Sequence, residues 1–195
     1  MIASMVRAQE ILDAHGAVTS IWQPVSGGDA GSLAFVAAYD DSISYGRTMD
    51  ALNASADFQA FWADIMINPS ATNLENYTIN DLDPSEGLPT VPSKVIVTVT
   101  FKTRPGRLVD HLTRQGQARQ HLERLGGRVR TVQTLGTAPG TVSTMIGFDD
   151  FTHYGEFGAK LAVDEQWASW YTELAADPPA EEVDSSVASL LELPA

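Results

Sequence analysis

Side-by-side carboxylates can do general acid–base work, and this chain carries two such pairs, Asp40-Asp41 and Asp149-Asp150. Their surroundings point elsewhere. Each pair stands just before a stretch of helical periodicity, where an aspartate caps free N–H groups and meets the positive end of a helix. Adjacent residues of a strand also point to opposite faces, so the two carboxylates of a pair do not converge. Both pairs are read as caps. The four histidines are His15, His111, His121 and His153, and none has HxxxH or HExxH spacing. All four are read as structural. No catalytic residue and no metal set is assigned. The chain has no cysteine, which excludes disulfides, thiol catalysis, cysteine-held zinc and iron–sulfur clusters. No GxGxxG or GxxxxGK[ST] loop cradles a phosphate, and no cofactor is assigned.

Residues suited to holding a molecule lie on alternating segments. Lys94–Lys102 sets Val95, Val97, Val99 and Phe101 against Thr98 and Thr100. One face is apolar and packs on helices, and the other offers hydroxyls. Gln133 stands in Arg128–Leu135, Ser143 and Met145 in Thr141–Phe148, and Trp22 in Ala17–Gln23. If Trp22, Thr98, Thr100, Gln133 and Ser143 line one interior, it suits a small, mostly apolar molecule with a few hydrogen bonds. The plainer alternative is a packed interior without a cavity.

Charge is unevenly spread. Residues 94–130 hold nine of the twelve Lys+Arg and two of the 25 Asp+Glu, a net +7 against −20 for the rest. Arg107, Arg114, Arg119 and Arg124 lie along one helical stretch. They form a candidate docking face for an acidic partner or a second copy. The plainer reading is a solvated face balancing an acidic body. A net charge of −13 disfavours nucleic acid. No apolar run approaches a membrane span, and no signal-type segment opens the chain. A cytoplasmic protein, forming a homo-oligomer, is expected.

The elements that must position these residues come twice. Gly31–Ile65 matches Gly140–Leu174 at an offset of 109, with six identities: Gly31/Gly140, Asp40/Asp149, Asp41/Asp150, Tyr45/Tyr154, Gly46/Gly155 and Leu52/Leu161. Aromatic positions coincide as well: Tyr39/Phe148, Phe58/Trp167, Phe61/Trp170 and Trp62/Tyr171. Upstream, an offset of 111 pairs Gln9/Gln120, Gly16/Gly127, Val18/Val129 and Ile21/Val132. In the second copy, strand Lys94–Lys102 is followed by a helix opened by Pro105, with Leu108, Leu112, Gln115, Leu122 and Leu125 inward, and closed by Gly126-Gly127. Strands Arg128–Leu135 and Thr141–Phe148, a helix over Thr152–Ala176 and a short strand Val187–Leu193 complete it. The order β-α-β-β-α-β is a ferredoxin-like unit. The first copy reads as a helix (Ile2–His15), two strands (Ala17–Gln23, Ser32–Tyr39), a helix (Ser42–Ile67) and a strand (Asn73–Leu82).

The expected fold class is therefore α+β. A first repeat spans 1–82, a Pro-rich linker 83–93, and a second repeat 94–195. Met1 aligns with Leu112, so the first repeat lacks a counterpart of Lys94–Lys102. That strand is central in the topology, and its absence leaves unpaired backbone groups. Either the sequence begins downstream of a fuller start, or the gap is filled by rearrangement or a partner. The second is preferred here.

The motifs Tyr39-Asp40-Asp41…Tyr45-Gly46…Leu52…Phe58…Phe61-Trp62 and Phe148-Asp149-Asp150…Tyr154-Gly155…Leu161…Trp167…Trp170-Tyr171 resemble those of the dimeric α/β-barrel superfamily. That superfamily includes antibiotic-biosynthesis-monooxygenase-like and NIPSNAP-like proteins. The resemblance implies two half-barrels fused in one chain as a pseudo-dimeric α/β barrel. It also implies a small-molecule-binding protein, of the cofactor-independent monooxygenase or isomerase type, acting on a small apolar substrate. Two alternatives stand beside it: a non-catalytic assembly protein using the basic helix, and a haem-binding barrel with an axial histidine.

Overall fold

A segment that alternates Val, Ile and Phe with Thr satisfies its backbone best inside a sheet, with its apolar side under helices. In the computed structural model, which describes residues 1–27, 31–82, 93–135 and 140–192, that segment is the central strand. Six helices and seven strands occur among the described residues, in the order α1 (Ile2–Ala14), β1 (Val18–Ser26), β2 (Ala34–Ala38), α2 (Ser42–Ala54), α3 (Ala56–Ile67), β3 (Thr78–Asp81), β4 (Val95–Thr103), α4 (Leu108–Arg124), β5 (Arg128–Leu135), β6 (Thr141–Phe148), α5 (Phe151–Ala162), α6 (Glu165–Ala176) and β7 (Ala180–Leu190). The fold is α+β. The strands form one curled sheet ordered β2-β1-β7-β4-β6-β5-β3, and every pairing is antiparallel. Two pairings, β1 with β7 and β3 with β5, tie the first half of the chain to the second.

One aspartate of each pair caps a helix, and the reading of Asp149 as a cap is corrected, since its carboxylate pairs with Arg128 at 2.6 Å instead. Asp41 accepts from the Ser44 N–H at 2.7 Å, and Asp150 accepts from the His153 N–H at 2.7 Å. Each long helix expected from the aromatic stripes is broken in two. Ser55 stops α2 and caps α3 through the Phe58 N–H, and Asp164 does the same for α6 through the Trp167 N–H. The two breaks lie 109 residues apart, as the two aspartate caps do. The helix expected from Pro105 begins only at Leu108, which is exposed, because Pro105-Gly106 forms a turn. The last strand starts at Ala180, well before the expected Val187. Its acidic first part is held by pairing, Glu181 and Glu182 opposite Lys102 and Phe101 of β4. The expected Gly-rich turn at 136–139 and most of the expected linker, 83–92, lie outside the described residues.

Two apolar cores differ in make-up. The larger joins Val95 of β4, Val129 of β5, and Ile146 and Phe148 of β6 to Ala118, Leu122 and Leu125 of α4 and its C-terminal end, and to Phe157 of α5. Tyr154, Leu161, Trp167 and Trp170 pack against it. The smaller buries Ile11, Leu52 and Phe61, with Ala8, Leu12, Met49, Phe58 and Ile65 around them, all of them from α1, α2 and α3.

Candidate functional site

Residues directly opposed across antiparallel strands share a face, so the register sorts the candidate residues. Thr100 faces Ser143 and Thr98 faces Met145 across β4 and β6. Ser143 faces Val132 and Met145 faces Arg130 across β6 and β5. On the other flank Thr98 faces Ser186, and Leu190, further along the same face of β7, meets Trp22. Trp22, Thr98, Thr100 and Ser143 therefore share the face turned away from the helices. Gln133 does not. It stands opposite Val142, which stands opposite Phe101, whose ring meets His111 of α4 at 5.7 Å. Gln133 lies on the helix-covered side, and its expected place beside the other four is corrected. Strict alternation gives two faces but not which is inner.

The inner face is mixed in character. The Thr100 and Ser143 hydroxyls stand 3.0 Å apart, and Ser143 is buried. The buried Trp22 indole donates to Ser20 Oγ at 2.9 Å on its own strand, which leaves its ring as an apolar wall. Arg130 and Asp81 form an ion pair of 3.2 Å at the same face, joining β5 to β3. Arg130 lies at the end of the basic stretch 94–130. The alternation of Arg128, Arg130 and Val132 against Val129 and Thr131 was the signal that placed it with Val132. Hydroxyls and a guanidinium can orient a polar group; no general base stands out beside them.

Chemistry-bearing side chains elsewhere serve other ends. His111 is 2% exposed, with Nδ1 2.8 Å from Thr103 Oγ1 and Nε2 3.0 Å from the Gln115 amide nitrogen. Gln115 in turn accepts from the Thr144 hydroxyl. Because an amide nitrogen only donates, Nε2 is the acceptor and Nδ1–H donates to Thr103, which defines a neutral imidazole. Burial pushes its pKa below the ordinary histidine value, against a weaker upward pull from Asp110. His121 meets Trp170 at 5.6 Å, His15 Nδ1 lies 2.7 Å from the Ile11 carbonyl, and His153 neighbours Asp149. None of these histidines sits on a strand. Among the described residues no group of three His, Asp or Glu could hold a metal.

The four arginines of the candidate docking face are engaged within the chain. Arg107 forms a two-pronged pair with Asp177 at 3.0 Å and also bonds Asp110, which raises its pKa and lowers that of Asp177. Arg114 bonds Gln117 at 3.1 Å, Arg119 bonds Glu123 at 2.7 Å, and Arg124 bonds Asp164 at 2.7 and 3.0 Å. Two surface clefts, of about 460 and 240 Å3, are lined by helix and helix-cap residues, His121, Glu165 and Trp170 in the first and Arg7, Glu10 and Ser55 in the second. Neither involves the inner face of the sheet. No helix among the described residues is long and apolar enough to cross a membrane.

No protein-family model matches the chain. No curated protein matches it either. Among solved structures, it is similar to a "putative monooxygenase" from Fusobacterium nucleatum subsp. nucleatum ATCC 25586, with a TM-score of 0.60 and 9% sequence identity. The likeness covers 98% of this chain and 86% of that one. At that identity it speaks for the fold alone: an α+β arrangement around a curled antiparallel sheet, compatible with a barrel-like fold.

Proposed function

We propose that this chain is a small-molecule-binding α/β barrel of the monooxygenase-like type, built from two tandem ferredoxin-like repeats, 1–82 and 94–195. Strand order supports the repeats. The second half contributes β7-β4-β6-β5, which is the ferredoxin-like order with its first strand second in the sheet. The paired caps at Asp41 and Asp150, and at Ser55 and Asp164, recur at one spacing.

The observation that carries the binding reading is the common face of Trp22, Thr98, Thr100 and Ser143. The ligand class is a small, mostly apolar molecule with one or two hydrogen-bonding groups. Trp22 packs its apolar part, and the Thr100–Ser143 hydroxyls and Arg130 meet its polar group. Oxygenation or isomerisation without a bound cofactor is the reaction class, with these residues orienting the substrate. The name of the Fusobacterium protein points the same way.

Native mass spectrometry of the protein from its own source, set against the denatured mass, tests this reading. The expected result is a small extra mass that leaves on denaturation. Titration of the identified molecule should then quench tryptophan fluorescence, and Trp22→Phe should abolish that change. Thr100→Val with Ser143→Ala should weaken binding about ten-fold, the effect of roughly one net hydrogen bond. A protein whose native and denatured masses agree would overturn it.

A further inference from the structure

The clefts of about 460 and 240 Å3 occupy equivalent places. The larger is bounded by His121 of α4 and by Glu165, Gln166, Ser169, Trp170 and Glu173 of α6. The smaller is bounded by residues of α1 and α3, among them Glu10 and Asp57, with Ser55 at the helix cap. The offset of 111 carries Glu10 onto His121, and that of 109 carries Asp57 onto Gln166 and Phe61 onto Trp170.

In the smaller cleft the chain supplies its own cation. Arg7 lines it, donates to Asp57 at 3.3 Å and holds its guanidinium carbon 5.6 Å from the centre of the buried Phe61 ring. A guanidinium beside an aromatic ring and a carboxylate is attracted by both.

In the larger cleft the acceptors remain and that cation is missing. The offset carries Arg7 onto Ala118, whose side chain is a buried methyl group. Trp170 replaces Phe61, and an indole draws a cation more strongly than a phenyl ring. The His121 ring lies 5.6 Å from it and extends the aromatic wall. Gln166 is neutral where Asp57 is charged, but Glu165 and Glu173 line the same cleft, and with Ser169 they recur every four residues along one face of α6. Among the described residues neither of these two carboxylates has an ion-pair or hydrogen-bond partner. Arg119 and Arg124, on either side of His121 along α4, are held by Glu123 and Asp164. No set of three His, Asp or Glu among the described residues could hold a metal ion, so the cation to be met is organic. A cleft of about 460 Å3 takes a whole small molecule.

We propose that the cleft between α4 and α6 binds a small molecule carrying a guanidinium group. The flat cation lies against the wall of Trp170 and His121, as Arg7 lies against Phe61. Its N–H groups donate to Glu165 and Glu173, whose oxygens match the fork of a guanidinium better than a point charge would. The proposal rests on the repeat in the sequence and not on a ligand at the inner face of the sheet.

The probe is butylguanidine, titrated into the whole chain at neutral pH and followed by the indole N–H resonances in nitrogen-15 NMR spectra. The Trp170 signal should shift and saturate, and that of Trp22 should stay in place. Butylurea, of the same shape without the charge, should bind about ten-fold more weakly or less, the loss of a charge-assisted contact. The double variant Glu165→Gln with Glu173→Gln alters two exposed side chains and should weaken butylguanidine by a similar factor. A Trp170 signal that never saturates overturns the proposal, as does equal binding of butylurea or by the double variant. A tripeptide Gly-Arg-Gly with blocked ends should bind more weakly than butylguanidine. If it binds more tightly, the guanidinium belongs to a protein side chain and the small-molecule source is overturned. A chain that holds its small molecule at Trp22 but not butylguanidine loses only this proposal.

Discussion

His111 shows what a buried titratable group contributes when both ring nitrogens are engaged. Protonation would place an N–H against the Gln115 amide nitrogen, which cannot accept. Its folded pKa is depressed by burial, so the unfolded chain takes up the proton first. Stability is then full above the unfolded value, about 6.5, and falls as pH drops from there toward the folded value. Urea unfolding at pH 7.5 and 5.5 should show this loss, and His111→Gln should flatten it. The carboxylates held down by partners, Asp41, Asp149, Asp164 and Asp177, lose their contributions only at lower pH. Residue types were enough to read His111 as structural and Asp41 and Asp150 as caps. The side to which Gln133 points was not legible, because a period of two is symmetric and only the neighbouring strands break the tie.

Elements whose limits are set by local chemistry were the readable ones. Strands β5 and β6 have the expected bounds, and β4 is shifted by one residue at each end, because turns or glycines frame an alternating run. The helix breaks at Ser55 and Asp164 were hidden because the aromatic stripe continues across them. The early start of β7 was hidden because Glu181 and Glu182 have no strand character alone; β4 imposes it. Glycines separate two kinds of element constraint. A Cβ on Gly127 would come within 2.7 Å of Ile146 Cγ2 and 3.3 Å of Phe157. Gly127→Ala should cost about 1–3 kcal/mol. Gly46 and Gly155, equivalent positions inside α2 and α5, meet nothing within 4 Å. Gly46→Ala and Gly155→Ala should each add about 0.5–1 kcal/mol. Thermal melts of the three variants would check the opposite signs.

At the scale of the molecule, the two halves are unequally built. Among the described residues, eight buried side chains form the core that includes β4, and three form the core of α1, α2 and α3. Exposed large apolar side chains, among them Trp62, Met66, Ile67 and Leu74, gather in the first half. Local opening should therefore be easier there. Hydrogen exchange should be at least ten-fold faster in α1 and α3 than in α4, and equal rates in the three helices would contradict this account. What the pattern could not show was the order in which the two halves join, which depends on pairings between distant segments.

The placement of β7 bears on how the chain is made. It is the farthest strand along the sequence, yet it lies between β1 and β4 and bonds both. A ribosome delivers it after every other strand. Until then β1 has only β2, and β4 has only β6, so two part-sheets wait with open flanks on either side of one empty position.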